Sequence, residues 1–352
     1  MRVIIDCDPG NGIPGANVDD GLALTYALAA KELEVAAIWT VFGNTSPEEG
    51  AASASKIVQA FVRSSKQDTH IPIRVGSSSP LSGNARALRA KLDAPSQDPS
   101  VCTLWGIDGC AERNWDPQTN RRATALQNMA EDLLCAREPT TLVCIGPLTN
   151  IARLITNYPQ VAAKIKQISL MGGYFKQTSE VDTNFAVDPR AAQVVLSSKI
   201  PIWMIPLDVT RTTCLTLQEW REIKQSAHDL TASNLRPRHD ERVDSRVPVA
   251  GHIAEKLSKW LEPWIRYSAQ TRPVDGMWIH DLLAVTHLVN PDVLGWSAEP
   301  LAVSVLPNGK TIISPTGCPT RIAKSADNRL LVSDWAQTVF GLNTAGNSPG
   351  SF

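Results

Sequence analysis

Within the first twenty residues an apolar strand runs straight into four carboxylates. Arg2-Val3-Ile4-Ile5 reads as a buried strand and Asp6-Cys7-Asp8-Pro9-Gly10 as an acidic turn. Residues 11–18 are glycine-rich, and Asp19-Asp20 then opens a helix rich in alanine and leucine. Like charges at this density repel one another unless a cation sits among them. Donors that are all oxygen suit a hard divalent ion, calcium or magnesium, better than zinc. The first expectation is therefore a metal site at the carboxyl end of the first strand.

Other readings of the same residues compete. Asp19 is a good N-cap, and Asp20 in a first helical turn is favoured by the helix dipole, but capping leaves Asp6 and Asp8 unexplained. Gly10-Asn11-Gly12-Ile13-Pro14-Gly15 fits a dinucleotide-binding G-x-G-x-x-G. There a pyrophosphate would face four carboxylates, no acidic residue ends the next strand to hold a ribose, and Pro14 removes a backbone donor. An aspartate-nucleophile phosphatase would carry Thr or Val where Gly10 stands.

The 352 residues allow one large α/β domain or two small ones, and an apolar content of 43% allows a real core. With 34 basic against 35 acidic residues, bulk charge points to neither nucleic acid nor membrane. No run approaches the roughly 20 apolar residues that span a bilayer, and no signal peptide precedes Arg2. Seven cysteines without a C-x-x-C read as reduced packing residues, which places the chain in a cytoplasm.

Further along, buried strands are expected over residues 35–41, 71–75, 140–145, 167–171 and 201–207. Helices are expected over 48–62, 123–136, 151–155 and 191–196, and later over 251–269, 282–289 and 332–342. A hairpin is expected around Asn308-Gly309. Long polar stretches at 76–120 and 231–249 read as active-site loops of a single domain, 1–352. Alternation of strand and helix argues a mostly parallel, Rossmann-like open sheet covered by helices on both faces, with extra C-terminal helices. Ligands in such sheets bind beyond the carboxyl ends of the strands. Asp8, Asn44, Gly146, Asp182 and Asn184 all fall there, and His280-Asp281 at a helix start can join them.

At these residues the chain resembles the inosine–uridine-preferring nucleoside hydrolases, almost end to end. The family opens with D-x-D-P-G-x-D-D, matched here by Asp6-Cys7-Asp8-Pro9-Gly10 and Asp19-Asp20. Later landmarks match in order: Gly43-Asn44, Gly146-Pro147-Leu148-Thr149-Asn150, Leu170-Met171-Gly172-Gly173, Asn184 with Asp188-Pro189, and His280-Asp281. The resemblance implies calcium held by Asp8, Asp20, Asp281 and the main-chain carbonyl of Ile145. It implies ribose contacts from Asp19, Asn44, Asn184 and Asp182, with Met171 packing under the sugar. It also implies a homodimer or homotetramer acting on nucleosides.

The implied reaction is hydrolysis of the N-glycosidic bond to free base and ribose. Calcium grips the sugar diol and presents a water, Asp8 is the general base, and His280 is the acid for the leaving base. Residues 11–18 exceed the family's spacing and are expected to loop out with strand and helix still in register. Trp105 stands where the family has histidine, and either stacks on the nucleobase or packs on the protein. The usual asparagine for the 5′-hydroxyl has no clear match; Gln177 is one option. Hydrolysis of another N-riboside, or calcium-dependent nucleoside binding without turnover, stays open. Free ribose released from inosine, uridine or cytidine separates these cases.

Overall fold

In a computed structural model of the chain, the described residues are 1–65, 71–82, 99–106, 122–234 and 250–342. Strands β1 (Arg2–Cys7), β2 (Glu34–Thr40), β3 (Ile73–Val75), β4 (Thr140–Cys144), β5 (Ile165–Met171) and β6 (Ile202–Ile205) all form where buried runs were expected. They pair in parallel in the order β6-β5-β4-β1-β2-β3. The connecting helices are α1 (Asp20–Ala29), α2 (Pro47–Ser65), α3 (Pro99–Trp105), α4 (Arg122–Leu134), α5 (Thr149–Asn157), α6 (Thr183–Val187) and α7 (Pro189–Leu196). Strand order reverses between β1 and β4, so the sheet's crevice opens beyond those two strands.

Side chains of β1 alternate between two apolar cores. Ile5 and Cys7 join the face covered by α1 and α2, while Ile4 joins the face covered by α4, α5 and α7. With both faces buried, each central strand reads as one continuous apolar run, and those runs are what located these strands.

The second half adds α8 (Leu207–Thr210), β7 (Cys214–Leu215), α9 (Leu217–Asn234), α10 (Ala250–Thr271), β8 (Met277–Trp278) and α11 (Leu282–Thr286). Then come β9 (Leu294–Trp296), β10 (Leu301–Val305), β11 (Thr311–Ile313), β12 (Cys318–Ala326) and α12 (Asn328–Phe340). The hairpin expected at Asn308-Gly309 forms as β10–β11, with Gly309 in the left-handed region at φ 86°. β12 was not among the expected strands; it extends the parallel sheet beyond β6 and pairs antiparallel with β10 and β9. Nor was the β7–β8 ribbon expected. Most of the two expected loops, 83–98, 107–120 and 235–249, lies outside the described residues.

Cys102 is disulfide-bonded, which corrects the expectation of reduced cysteines throughout; Cys7, Cys135, Cys144, Cys214 and Cys318 are free. Cys102 sits in α3, ahead of a stretch outside the described residues, so its pairing could not be read from core-strand burial. No helix among the described residues is long and apolar enough to cross a membrane.

One polar group on the inner face of the sheet makes the fold sensitive to acid. Ser169 Oγ donates to the Ala284 carbonyl at 2.8 Å, so it accepts from His287 Nε2 at 2.7 Å. The His287 ring stacks on Trp203 and meets Trp296 edge-on. Burial holds its pKa at about 4. Below the ordinary histidine value of 6.5 the unfolded chain takes up a proton that the fold refuses. This contribution is complete above pH 6.5 and is lost toward pH 4, by about 3 kcal/mol. Urea unfolding of the wild type and His287→Gln between pH 4 and 7 tests this. The wild type should lose stability more steeply on acidification, and parallel curves would remove His287 from the account.

Candidate active site

A cleft of about 440 Å³ opens beyond the carboxyl ends of the central strands. Asp8, Asp19, Asn44, Ile145, Met171, Asp182, Asn184, His280 and Asp281 all line it. Asp20 lies fully buried beneath.

The floor depends on how residues 11–18 fold. Asn11 Nδ2 donates to the Val18 carbonyl at 3.0 Å, closing the inserted segment at its base. Ser53 Oγ fixes Asn11 from α2. The segment thus loops out, and the Asp8 N–H donates to Asp20 Oδ1 at 2.9 Å across the gap. Strand and helix keep the expected register despite the extra residues.

The Asp8 carboxylate sits in a cradle of backbone. Its Oδ2 accepts the Asn44 N–H, and a Cβ placed on Gly43 would come within 1.6 Å of that oxygen. Asn44 Nδ2 donates to Asp20 Oδ2 at 3.1 Å. From the far end of the chain, the His280 and Asp281 N–H groups both donate to Asp19 Oδ2, at 2.9 and 3.3 Å. Oxygens of Asp19, Asp20 and Asp281 lie within 4.8 Å of one another, the tightest acidic group among the described residues. Asp8 stands beside this group rather than inside it.

Such a floor is electrostatically unfavourable without a cation. Burial raises the pKa of Asp19; burial and then the neighbouring carboxylates raise those of Asp20 and Asp281. Asp19 Oδ1 is buried with no hydrogen-bond partner. Acceptors that are all oxygen, mutually repelling and partly unsatisfied fit a hard divalent cation. Asp6, just behind, is different. Burial pushes its pKa to about 8, and Asn150 donates to Oδ1 at 2.7 Å, tying it to the start of α5.

The landmark Thr149-Asn150 supports the floor without touching it. Asn150 Nδ2 also donates to the Thr40 carbonyl and its Oδ1 accepts the Ser77 N–H, tying together the ends of β1 and β2 and the segment after β3. Thr149 Oγ1 donates to Asp188, which caps α7 through the Ala191 N–H. On the β4–β5 side of the cleft, Asn184 Nδ2 donates to the carbonyls of Ile145 and Met171 at 3.1 and 3.2 Å, leaving its own carbonyl to accept. Asp182 N-caps α6 through the Phe185 N–H, and burial raises its pKa to about 6.

His280 stands half-buried in the wall, its Nδ1 2.8 Å from Thr210 Oγ1. Burial, then Arg272 and Arg211, hold its pKa at about 3, so the ring is neutral at neutral pH. Trp264, Trp278, Arg211 and Arg272 complete this wall, and none was anticipated from sequence. Arg211 packs over Trp278 and Tyr174 and pairs with Glu180 at 2.7 Å; Arg272 lies over Trp264. Trp105, expected either to stack on the base or to pack on the protein, lies at the end of α3. It packs edge-on against Tyr267, absorbed into the apolar contact between α3 and α10, and is not among the lining residues. Gln177 is not among them either; Ser179, Glu180 and Val181 represent that segment.

Comparison with known proteins agrees with this arrangement. The chain is 30% identical over 310 residues to the pyrimidine-specific ribonucleoside hydrolase RihA of Salmonella agona (strain SL483), covering 81% of this chain and 90% of the relative. Among solved structures, the purine-preferring ribonucleoside hydrolase of Gardnerella vaginalis superposes with a TM-score of 0.70 at 23% identity, covering 97% and 98% of the two chains. An inosine-uridine preferring nucleoside hydrolase from Bacillus anthracis gives a TM-score of 0.64 at 19% identity, covering 97% and 100%. The model of the inosine-uridine preferring nucleoside hydrolase family matches residues 3–333, and the chain belongs to that family.

Proposed function

We propose that this nucleoside hydrolase is calcium-dependent, with Asp8 as general base and His280 as the donor facing the leaving base. The reading rests on one observation above all: buried carboxylates from both ends of the chain converge under a cleft whose opposite wall is aromatic and cationic. Asp8, Asp20 and Asp281 would hold the ion together with the Ile145 carbonyl, which keeps a lone pair after accepting from Asn184. Bound there, calcium supplies a positive centre that grips a sugar diol and acidifies water.

The chain's own residues account for the rest. Asp19 Oδ2 is engaged by two backbone N–H groups, and its unpartnered Oδ1 accepts a ribose hydroxyl. Asn44 and Asn184 add further ribose contacts, and Met171 lies under the sugar, its sulfur 3.4 Å from Asn184 Nδ2. Asp182 is absorbed in capping α6 and bounds the cleft by its position more than by contact with substrate. As the glycosidic bond breaks, positive charge grows on the sugar above the carboxylates, which stabilise it. Asp8 takes a proton from the attacking water, whose hydroxyl ends on the anomeric carbon. That proton finishes on the departed base. His280, neutral in the fold, acts toward the base as an N–H donor and not as an imidazolium.

The proteins this chain resembles are named for pyrimidine and for purine nucleosides, and we assign base preference here to the residues of the wall.

Chelation should abolish ribose release from inosine or uridine, and calcium should restore it; turnover unaffected by chelator would end the metal-dependent reading. Calorimetry provides a second readout. Calcium at about 100 times its Kd should stabilise the wild type by about 2.7 kcal/mol. Asp20→Asn should remove that increment, yet melt no lower than wild type in chelator because one repelling charge is gone. Asp8→Asn should lower kcat by about 10²- to 10⁴-fold; a near-normal rate at saturating calcium is incompatible with its role as base. His280→Ala should slow nucleosides far more than p-nitrophenyl riboside, whose leaving group needs no donor. Equal losses on both would strip His280 of that role.

A further inference from the structure

His280 is fixed more tightly than a wall residue requires. Its N–H donates to Asp19 Oδ2. The residue before it is stitched to the turn after α8: Ile279 N–H donates to the Thr213 carbonyl, and Thr213 Oγ1 lies 2.8 Å from the Ile279 carbonyl and 2.9 Å from that of Thr210. The β7–β8 pairing, Cys214 opposite Trp278, continues the same seam. This seam brings Thr210 to the imidazole across 70 positions of sequence, with Oγ1 2.8 Å from Nδ1.

Thr210 is fully buried, and among the described residues Nδ1 of His280 is the sole hydrogen-bond partner of its hydroxyl. The proton between them can be arranged in two ways. If Nδ1–H donates to the hydroxyl oxygen, the hydroxyl hydrogen is stranded in the interior with no acceptor, which buried donors avoid. If the hydroxyl donates to Nδ1, both groups are satisfied. The ring proton then sits on Nε2, the nitrogen turned away from Thr210. The Trp278 ring, 5.9 Å from the imidazole centre, bounds the ring on another side.

We propose that Thr210 is a positioning residue: its buried hydroxyl donates to His280 Nδ1, locks the Nε2–H tautomer, and so presents an N–H donor to the leaving nucleobase. The inference deepens the reading of His280 given above and rests on it. Without the threonine hydroxyl, the neutral ring is free to populate the other tautomer, which offers the base an acceptor where a donor is needed.

The test uses the full-length protein loaded with calcium, with Thr210→Val, Thr210→Ser and His280→Ala. Histidine-selective ¹⁵N NMR reads the tautomer directly, and steady-state kinetics compare inosine and uridine with p-nitrophenyl riboside. In wild type and Thr210→Ser, His280 should show the Nε2–H signature; in Thr210→Val that signature should weaken or vanish. Thr210→Val should lower kcat on nucleosides by about 10- to 100-fold, leaving KM and the p-nitrophenyl riboside rate within about twofold. Serine should restore kcat to within about threefold of wild type. An Nδ1–H tautomer in the wild type overturns the proposal even if the valine variant does not fold. So does a valine loss of equal size on both substrate types, or a failure of serine to rescue. If His280→Ala discriminates between substrates while Thr210→Val does not, the tautomer proposal alone falls. If His280→Ala does not discriminate, the reading of His280 falls first and the proposal with it.

Discussion

Mutual repulsion among buried carboxylates is the constraint around which this molecule is arranged. Asp8, Asp19, Asp20 and Asp281 are each at most 4% exposed, and among the described residues no lysine or arginine forms an ion pair with Asp19, Asp20 or Asp281. In a small core such a group would be eliminated by its desolvation cost. Here a doubly covered sheet supplies enough apolar burial to hold it, and backbone N–H groups take part of the negative charge. Asp19 shows this most clearly. It immediately precedes α1 and accepts from the backbone of His280 and Asp281, so one carboxylate joins early and late parts of the sequence.

The family's ordered landmarks divide by task once they are placed in three dimensions. Asp8, Asn44, Asn184 and Asp281 face the cleft. Asp6, Thr149, Asn150 and Asp188 lie behind it and hold strand ends and helix starts in place through buried hydrogen bonds. A buried amide such as Asn150, bonded to Asp6, Thr40 and Ser77, specifies geometry strongly because each lost bond would strand a polar group away from water. The spacing that makes these motifs recognisable is therefore partly chemistry and partly the scaffolding that chemistry needs.

Local sequence carried the floor but not the wall. Central strands were legible because burial on both faces turns them into apolar runs that end in Asp, Gly or Asn. The site followed from where those runs end. β12 was not legible: Cys318-Pro319-Thr320-Arg321 reads as a loop, and its strand character comes from being paired on both sides. Trp264 was hidden because an indole in the middle of a long amphipathic helix looks like core, and at 2% exposure it is nearly that. Trp278 sits in a two-residue strand too short to have a period. Trp105 packs edge-on against Tyr267, a contact 162 positions away in sequence that no local pattern announces.

The cleft is electrically divided, and this division matches the direction in which the proposed bond cleavage moves charge. Carboxylates form the floor, where the sugar becomes cationic. Arg211 and Arg272 stand in the wall near His280, where electrons accumulate on the base. Burial, and after it the same guanidiniums, hold the His280 pKa low, so an imidazolium acid is disfavoured by surroundings that favour an anionic leaving group. A donor that stays neutral must carry its proton on the correct nitrogen, because it cannot rely on having one on each. Tautomer control thus becomes a requirement of this wall, and a threonine hydroxyl behind the ring meets it without adding charge to a site already crowded with it.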